Sequence, residues 1–174
     1  MELTSRPARP DDAAAIAAIY NQGIEDRMAT FETDPRTAAQ VESLLRSLLA
    51  THPAVVVERG ARAVAFAWTV PYSGRPCYAG IGEFSVYVER AARGAGAGRA
   101  ALCALVEACE LAGFWKLVSR VFPENVPSRR LCASTGFREV GVHRRHGRLD
   151  GVWRDVVIVE RLMGGAAGGP AAGS

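Results

Sequence analysis

With 174 residues, 49% of them hydrophobic, and a net charge of only +3, the chain has the size and apolar content of one soluble domain with its own core. Its 21 Lys and Arg are interspersed with 18 Asp and Glu and form no long basic run, which argues against a nucleic-acid partner. No apolar run reaches the ~18 residues of a spanning helix, and Met1–Arg6 lacks the apolar core of a secretory leader, so a cytoplasmic protein away from membranes is expected. Cys77, Cys103, Cys109 and Cys132 show neither Cys-x-x-Cys spacing nor a histidine at ligand spacing, so reduced thiols and no metal are expected.

In chain order, Leu3–Arg6 reads as a short strand, and Asp11-Asp12 open a helix with Ile16, Ile19 and Tyr20 on one face. Thr37 and Gln40 form a capping-box pair ahead of a helix with an apolar stripe of Val41, Leu44, Leu45 and Leu48. Ala54–Glu58 and Ala63–Val70 read as a hairpin about Arg59-Gly60, followed by a strand from Gly82 to Val88. A helix over 97–112 closes at Gly113, Lys116–Phe122 is a further strand, and a short helix over Pro127–Thr135 ends at Gly136. Strands over 137–145 and 153–162 complete the order βααβββαβαββ, which fits a mixed sheet flanked by helices. Residues 1–163 are therefore expected to be one domain. Residues 164–174 contain only Gly, Ala, Pro and Ser and are expected to be disordered.

The segment Glu83–Val88 followed by Arg93-Gly94-Ala95-Gly96-Ala97-Gly98-Arg99 carries the most chemistry. A strand, a glycine-rich turn and a helix N-terminus direct free backbone N–H groups and the helix dipole at one spot, which is an anion site. Glycines let a diphosphate approach the main chain, and Arg93 and Arg99 add positive charge. A P-loop would need Lys-Ser/Thr after the last glycine, but Arg99-Ala100 follow Gly98. A dinucleotide site would need Gly-x-Gly-x-x-Gly in the first βα unit, and these glycines lie past mid-chain with a different spacing. A plain tight turn is the alternative.

The pattern Arg93-x-x-Gly96-x-Gly98 resembles the acyl-CoA pyrophosphate loop of the GNAT superfamily of N-acyltransferases. Ile24-Glu25, Thr30-Phe31, Thr33-Asp34-Pro35, Arg75-x-x-Tyr78, Asn125-Val126-Pro127-Ser128, Gly136-Phe137 and Gly151–Val156 are similar to motifs of the phosphinothricin and arsinothricin N-acetyltransferases, in the same order from Leu3 to Met163. The resemblance implies an α/β (α+β) GNAT fold with a mostly antiparallel central sheet. It also implies acetyl-CoA as cosubstrate, no metal, a small anionic amino acid as substrate, and a homodimer.

Acetyl transfer to an amine needs a base, because an α-amino group is mostly protonated near neutrality. Glu83 matches the family's catalytic glutamate, and its apolar sequence neighbours Phe84, Val86 and Val88 are expected to raise its pKa; the alternative is an edge-strand carboxylate paired with an arginine. For the cofactor, the resemblance implies backbone contacts from Val86 and Val88, the loop residues Arg93, Gly94, Gly96, Gly98 and Arg99, and Asn125 and Ser128, which would also serve as helix caps. For the substrate it implies Arg75, with Phe31 and Tyr78 as pocket walls and Arg27 as a second anion-binding candidate; a solvated loop arginine and core aromatics are the alternatives. Cys132 stands where many superfamily members have a proton-donating tyrosine, and it is either a donor or a small buried hydrophobe. Asp150 stands where phosphinothricin enzymes often have histidine. The basic run His143–Arg148 is read as a solvated hairpin or an attractor of anions, and Trp153 and Asp155 as organisers of the sheet or a subunit contact. Acetylation of another amine or a peptide N-terminus, and a non-catalytic acyl-CoA sensor, remain as further readings.

Overall fold

The alternation of small and large side chains in the third strand sets the layering of the whole molecule. In the computed structural model, which describes residues 2–168, strand β3 (Arg62–Pro71) directs Ala65 and Ala67 to one face and Phe66 and Trp68 to the other. Helices α1 (Ala13–Glu25) and α2 (Ala38–Leu48) cover the aromatic face. Helices α3 (Ala97–Leu111) and α4 (Val126–Ser134) lie on the alanine face, where the small side chains admit Ala101, Leu102 and Leu105 of α3 to full burial. Each such leucine contributes roughly 1.5–3 kcal/mol.

The remaining strands are β1 (Leu3–Pro7), β2 (Ala54–Arg59), β4 (Ile81–Val88), β5 (Lys116–Val121), β6 (Arg138–Leu149) and β7 (Val152–Leu162), in the spatial order β1-β2-β3-β4-β5-β7-β6. Among the described residues only β4 and β5 run parallel, so the sheet is mixed, as the element order predicts, and mostly antiparallel, as the resemblance implies. The Thr37–Gln40 capping box is formed. Gly113 and Gly136 take the positive φ values of helix-ending residues, +84° and +85°.

The C-terminal hairpin differs from its sequence reading. His143–Arg148 is largely exposed and belongs to the β6–β7 hairpin, as its reading as a solvated hairpin expects, but it continues strand β6 past residue 145, with a register shift between His143 and Gly147 where Arg145, at φ 49°, donates its N–H to Asp155 Oδ1 at 2.6 Å. The turn is made by Asp150 and Gly151, both at positive φ. A bulge absorbs the run's polarity without ending the strand. Beyond Met163, residues Gly165–Gly168 form one short helical turn, and the tail expectation for 169–174 falls outside the described residues.

The start of β5 is pinned to the start of β4. Trp115 N–H donates to Gly80 C=O at 2.9 Å, and the indole packs on Gly80 so closely that a Cβ there would lie 1.9 Å from Trp115 Cε3. Gly80→Ala is therefore expected to force the ring or the strand aside at a cost of about 1–3 kcal/mol. Urea unfolding should show the lower midpoint; an unchanged midpoint would mean that this contact does not seat the two strands.

Candidate functional site

Strands β4 and β5 pair at Ile81↔Lys116, Gly82↔Leu117 and Glu83↔Val118 and then part, although β4 runs on to Val88 and β5 to Val121. On its other side β4 stays in unbroken antiparallel register with β3, and Glu89 N–H donates to Val64 C=O at 2.8 Å. By the alternation of such a ladder, Phe84, Val86 and Val88 turn their N–H and C=O groups toward β5; the Glu83↔Val118 pairing uses the Phe84 N–H, and the Phe84 C=O and both groups of Val86 and Val88 point into the opening. Two of these carbonyls are occupied: Ser119 Oγ donates to Phe84 C=O at 2.8 Å, and Arg93 Nε to Val88 C=O at 3.3 Å. The opening continues into a cleft of ≈790 Å³.

The glycine loop forms one wall of that cleft. Gly94 and Gly96 are at φ +76° and +86°, values that L side chains adopt only with strain, and Gly96 caps α3. The first i→i−4 bond here runs from Ala100 N–H to Gly96 C=O, which leaves the amides of Ala97, Gly98 and Arg99 without intrahelical acceptors. Gly98 admits a close approach: a Cβ there would stand 3.2 Å from both Leu131 Cδ2 and Val88 Cγ2. Arg99 Nη1 donates to Ser134 C=O at 2.7 Å, and Arg93 Nη2 meets Asp26 Oδ2 at 2.7 Å. Partial burial opposes ionisation of Asp26, but the hydrogen bonds and charges of Arg90 and Arg93 outweigh it and hold the carboxyl below its usual range.

The N-terminus of α4 forms the facing wall. Asn125 Oδ1 accepts from Ser128 N–H at 3.2 Å, and Asn125 Nδ2 donates to Met28 C=O at 2.9 Å, so this cap also joins α4 to the loop after α1. Val86, Val88, Arg93, Gly94, Gly96, Gly98, Arg99, Asn125 and Ser128 thus line one cleft. Cys132 lines it too, but its side chain is buried and burial pushes the thiol up to about 11.

Glu83 is placed differently from the sequence expectation. It stands on a central strand, not an edge, and its side chain shares the α1/α2 face with Ser85 and Tyr87, whereas Phe84, Val86 and Val88 alternate to the other face. The neighbours expected to desolvate it therefore do not surround it. Its immediate partner is Arg120 of β5, whose Nη1 meets Glu83 Oε1 at 2.5 Å and which itself lines the cleft. Sequence reading missed Arg120. Alternation along Lys116, Val118 and Arg120 was available as a signal, but the β4–β5 register that brings the two charges together was not.

The substrate candidates fall into two groups. Phe31 packs edge-on against Phe122 at 4.9 Å, and its ring occupies the space over Gly147. Arg27, the second anion-binding candidate, is at φ 55° and pairs with Asp150, the residue that departs from the family, at 3.0 Å. Arg75 and Tyr78 lie instead on the β3–β4 connection. The Arg75 guanidinium is 5.7 Å from the Tyr78 ring and Tyr78 is edge-on to Tyr72; none of these three, nor Phe31 or Arg27, lines the cleft, which Phe31 adjoins only through Phe122. Arg154 of β7 was also missed: its guanidinium lies 4.8 Å over the Phe122 ring, and its buried Nε has no acceptor among the described residues. No cluster of metal-ligating side chains occurs among the described residues.

Residues 2–138 match the acetyltransferase (GNAT) domain family. The chain is 33% identical over 162 residues to the phosphinothricin N-acetyltransferase of Alcaligenes faecalis, covering 92% of this chain and 82% of that one. Among solved structures it is similar to a GNAT superfamily phosphinothricin acetyltransferase from Sinorhizobium meliloti in complex with acetyl-CoA, with TM-score 0.89, 28% identity, and 99% and 95% coverage of the two chains. It is also similar to a ribosomal-protein-alanine N-acetyltransferase from Brucella melitensis, with TM-score 0.88, 28% identity, and 92% and 99% coverage.

Burial that raises Cys132 to about 11 and Cys109 to about 12 leaves almost no thiolate at pH 8, whereas Cys77 is exposed. Brief alkylation of the native protein at pH 8, read by peptide mass spectrometry, should modify Cys77 and spare Cys109 and Cys132. Equal labelling would contradict the closed packing around α4.

Proposed function

The chain belongs to the GNAT acetyltransferase family, alongside the phosphinothricin N-acetyltransferases, and on that premise we propose that it transfers acetyl from acetyl-CoA to the α-amino group of a small anionic amino acid. The substrate class is that of phosphinothricin, arsinothricin or methionine sulfoximine. N-acetylation removes the ammonium charge of the amino acid, and the proposed consequence is detoxification and resistance in the cytoplasm. The observation that carries this reading is the single cleft that runs from the α3 N-terminus along the unpaired edge of β4 to the arginine paired with Glu83.

Acetyl-CoA fits the groups present. The amides of Ala97, Gly98 and Arg99, with Arg93 and Arg99, would hold its diphosphate; Val86 and Val88 would hold the pantetheine arm through their backbone, with Asn125 and Ser128 beside it. When bound it supplies an acetyl thioester. Glu83 accepts the proton of the substrate ammonium, directly or through water, and so exposes the nitrogen lone pair. The Val86 N–H is the backbone donor available for negative charge that develops on an oxygen in the opening. Cys132 is a poor proton donor for a leaving thiolate. A thiol at about 11 is a weaker acid than an ordinary thiol near 8.5 by ~2.5 units, so the transfer would run uphill by ~3 kcal/mol.

Phe31 supports the substrate through its wall against Phe122, and Arg75 and Tyr78 supply an exposed cation and ring on the β3–β4 connection. Exposed Val140, Val142 and Trp153 on the β6–β7 hairpin support a homodimer. The likeness to a ribosomal-protein-alanine N-acetyltransferase favours a second reading, in which a peptide N-terminus takes the place of the free amino acid.

Release of free CoA thiol should be measured with phosphinothricin, arsinothricin, methionine sulfoximine, glutamate and an alanine-terminated peptide side by side. Saturable turnover is expected with an oxyanion amino acid, with glutamate poor. Glu83→Gln should lower kcat by roughly 10²–10⁴ and leave acetyl-CoA binding unchanged. Turnover of the peptide alone would favour the second reading, and binding of acetyl-CoA without any turnover would favour a sensor.

A further inference from the structure

Arg120 and Glu83 form a contact pair of opposite charges in which Arg120 lines the cleft and Glu83 stands behind it, outside the lining. The Arg120 side chain is 44% exposed and that of Glu83 25%, and pairs exposed to this degree contribute little to stability, about 0–1 kcal/mol. Of the Arg120 donors, only Nη1 has an acceptor among the described residues. Of the other cations on this sheet face, Lys116 and Arg138 both pair with Glu160, and Arg154, farther along β7, meets Glu124 at 3.4 Å and keeps a buried Nε without an acceptor among the described residues. Arg120 is thus the cation beside the candidate base that has donors to spare.

A cation and an anion in contact are the complement of one molecule type: a compound whose own ammonium and carboxylate sit on the same carbon. We infer that Arg120 is the receptor for the α-carboxylate of the substrate, and that the enzyme selects free α-amino acids by exchanging the Glu83–Arg120 pair for two pairs with the substrate. The carboxylate takes the Arg120 fork, for which a planar guanidinium is geometrically suited. Glu83, released from Arg120, faces the adjacent ammonium and is free to take its proton. A peptide N-terminus has an uncharged amide in place of the α-carboxylate, cannot displace Glu83 from Arg120, and so leaves the base engaged. This inference rests on the amino-acid reading above, and it assigns specificity to a β5 residue rather than to the Arg75 loop alone.

The test compares Arg120→Gln and Arg120→Lys with the wild type on two substrates: the best amino acid of the panel and its α-carboxamide. Loss of a charge-assisted contact predicts that Arg120→Gln raises KM for the free acid roughly 10- to 100-fold while changing KM for the carboxamide less than about threefold. Arg120→Lys should fall between. Acetyl-CoA titration and thermal unfolding of each variant, unchanged from wild type, establish that the variants are folded. If Arg120→Gln instead lowers kcat equally for acid and carboxamide and leaves their KM ratio unaltered, Arg120 acts on Glu83 alone and the inference is wrong. If the wild type acetylates a peptide and no free amino acid, the amino-acid reading fails and this inference falls with it.

Discussion

The parting of β4 from β5 after three paired residues is the constraint on which the rest of the site depends. A parallel pair that continued would consume the Phe84 carbonyl and the amides and carbonyls of Val86 and Val88 in ladder bonds and would close the sheet. Because the strands separate, a buried backbone donor would cost about 1–3 kcal/mol if nothing met it. The structure answers this by facing the opening to the cleft and by sending Ser119 Oγ and Arg93 Nε to two of the carbonyls. The same separation starts where it does because Trp115 and Gly80 fix how the two strands begin. The charge pair joins Glu83, at the last paired rung, to Arg120, two residues past its partner Val118.

What could be read from the sequence was local. The glycine loop, the Thr37–Gln40 cap and the helix-ending Gly113 and Gly136 are each set by the conformational needs of a few adjacent residues, and all appear where the sequence places them. The strand order from β1 to β7 was legible as alternation and turn chemistry. Partnerships between distant strands were not. Glu83 and Arg120 are 37 positions apart and meet only through the register of a parallel pair, which no local pattern encodes.

One local reading fails for the opposite reason, because neighbours in a strand are not neighbours in space. Phe84, Val86 and Val88 flank Glu83 in the chain, yet a strand sends them to the other face of the sheet. The basic run is a solvated part of the β6–β7 hairpin, and it continues as strand past residue 145 because an exposed strand with a bulge has no need of apolar residues on either face. Asp150, an oddity in the sequence, gains its meaning only from Arg27, which the backbone holds in a left-handed conformation across from it.

The loop arginine Arg93 is already held by Asp26 before any anion reaches the α3 N-terminus. An incoming phosphate that recruits Arg93 exchanges one anion for another rather than neutralising a bare cation. Added electrolyte screens the old contact and the new one together. The affinity of this cleft for a phosphorylated ligand should accordingly be less sensitive to ionic strength than the number of arginines around it implies.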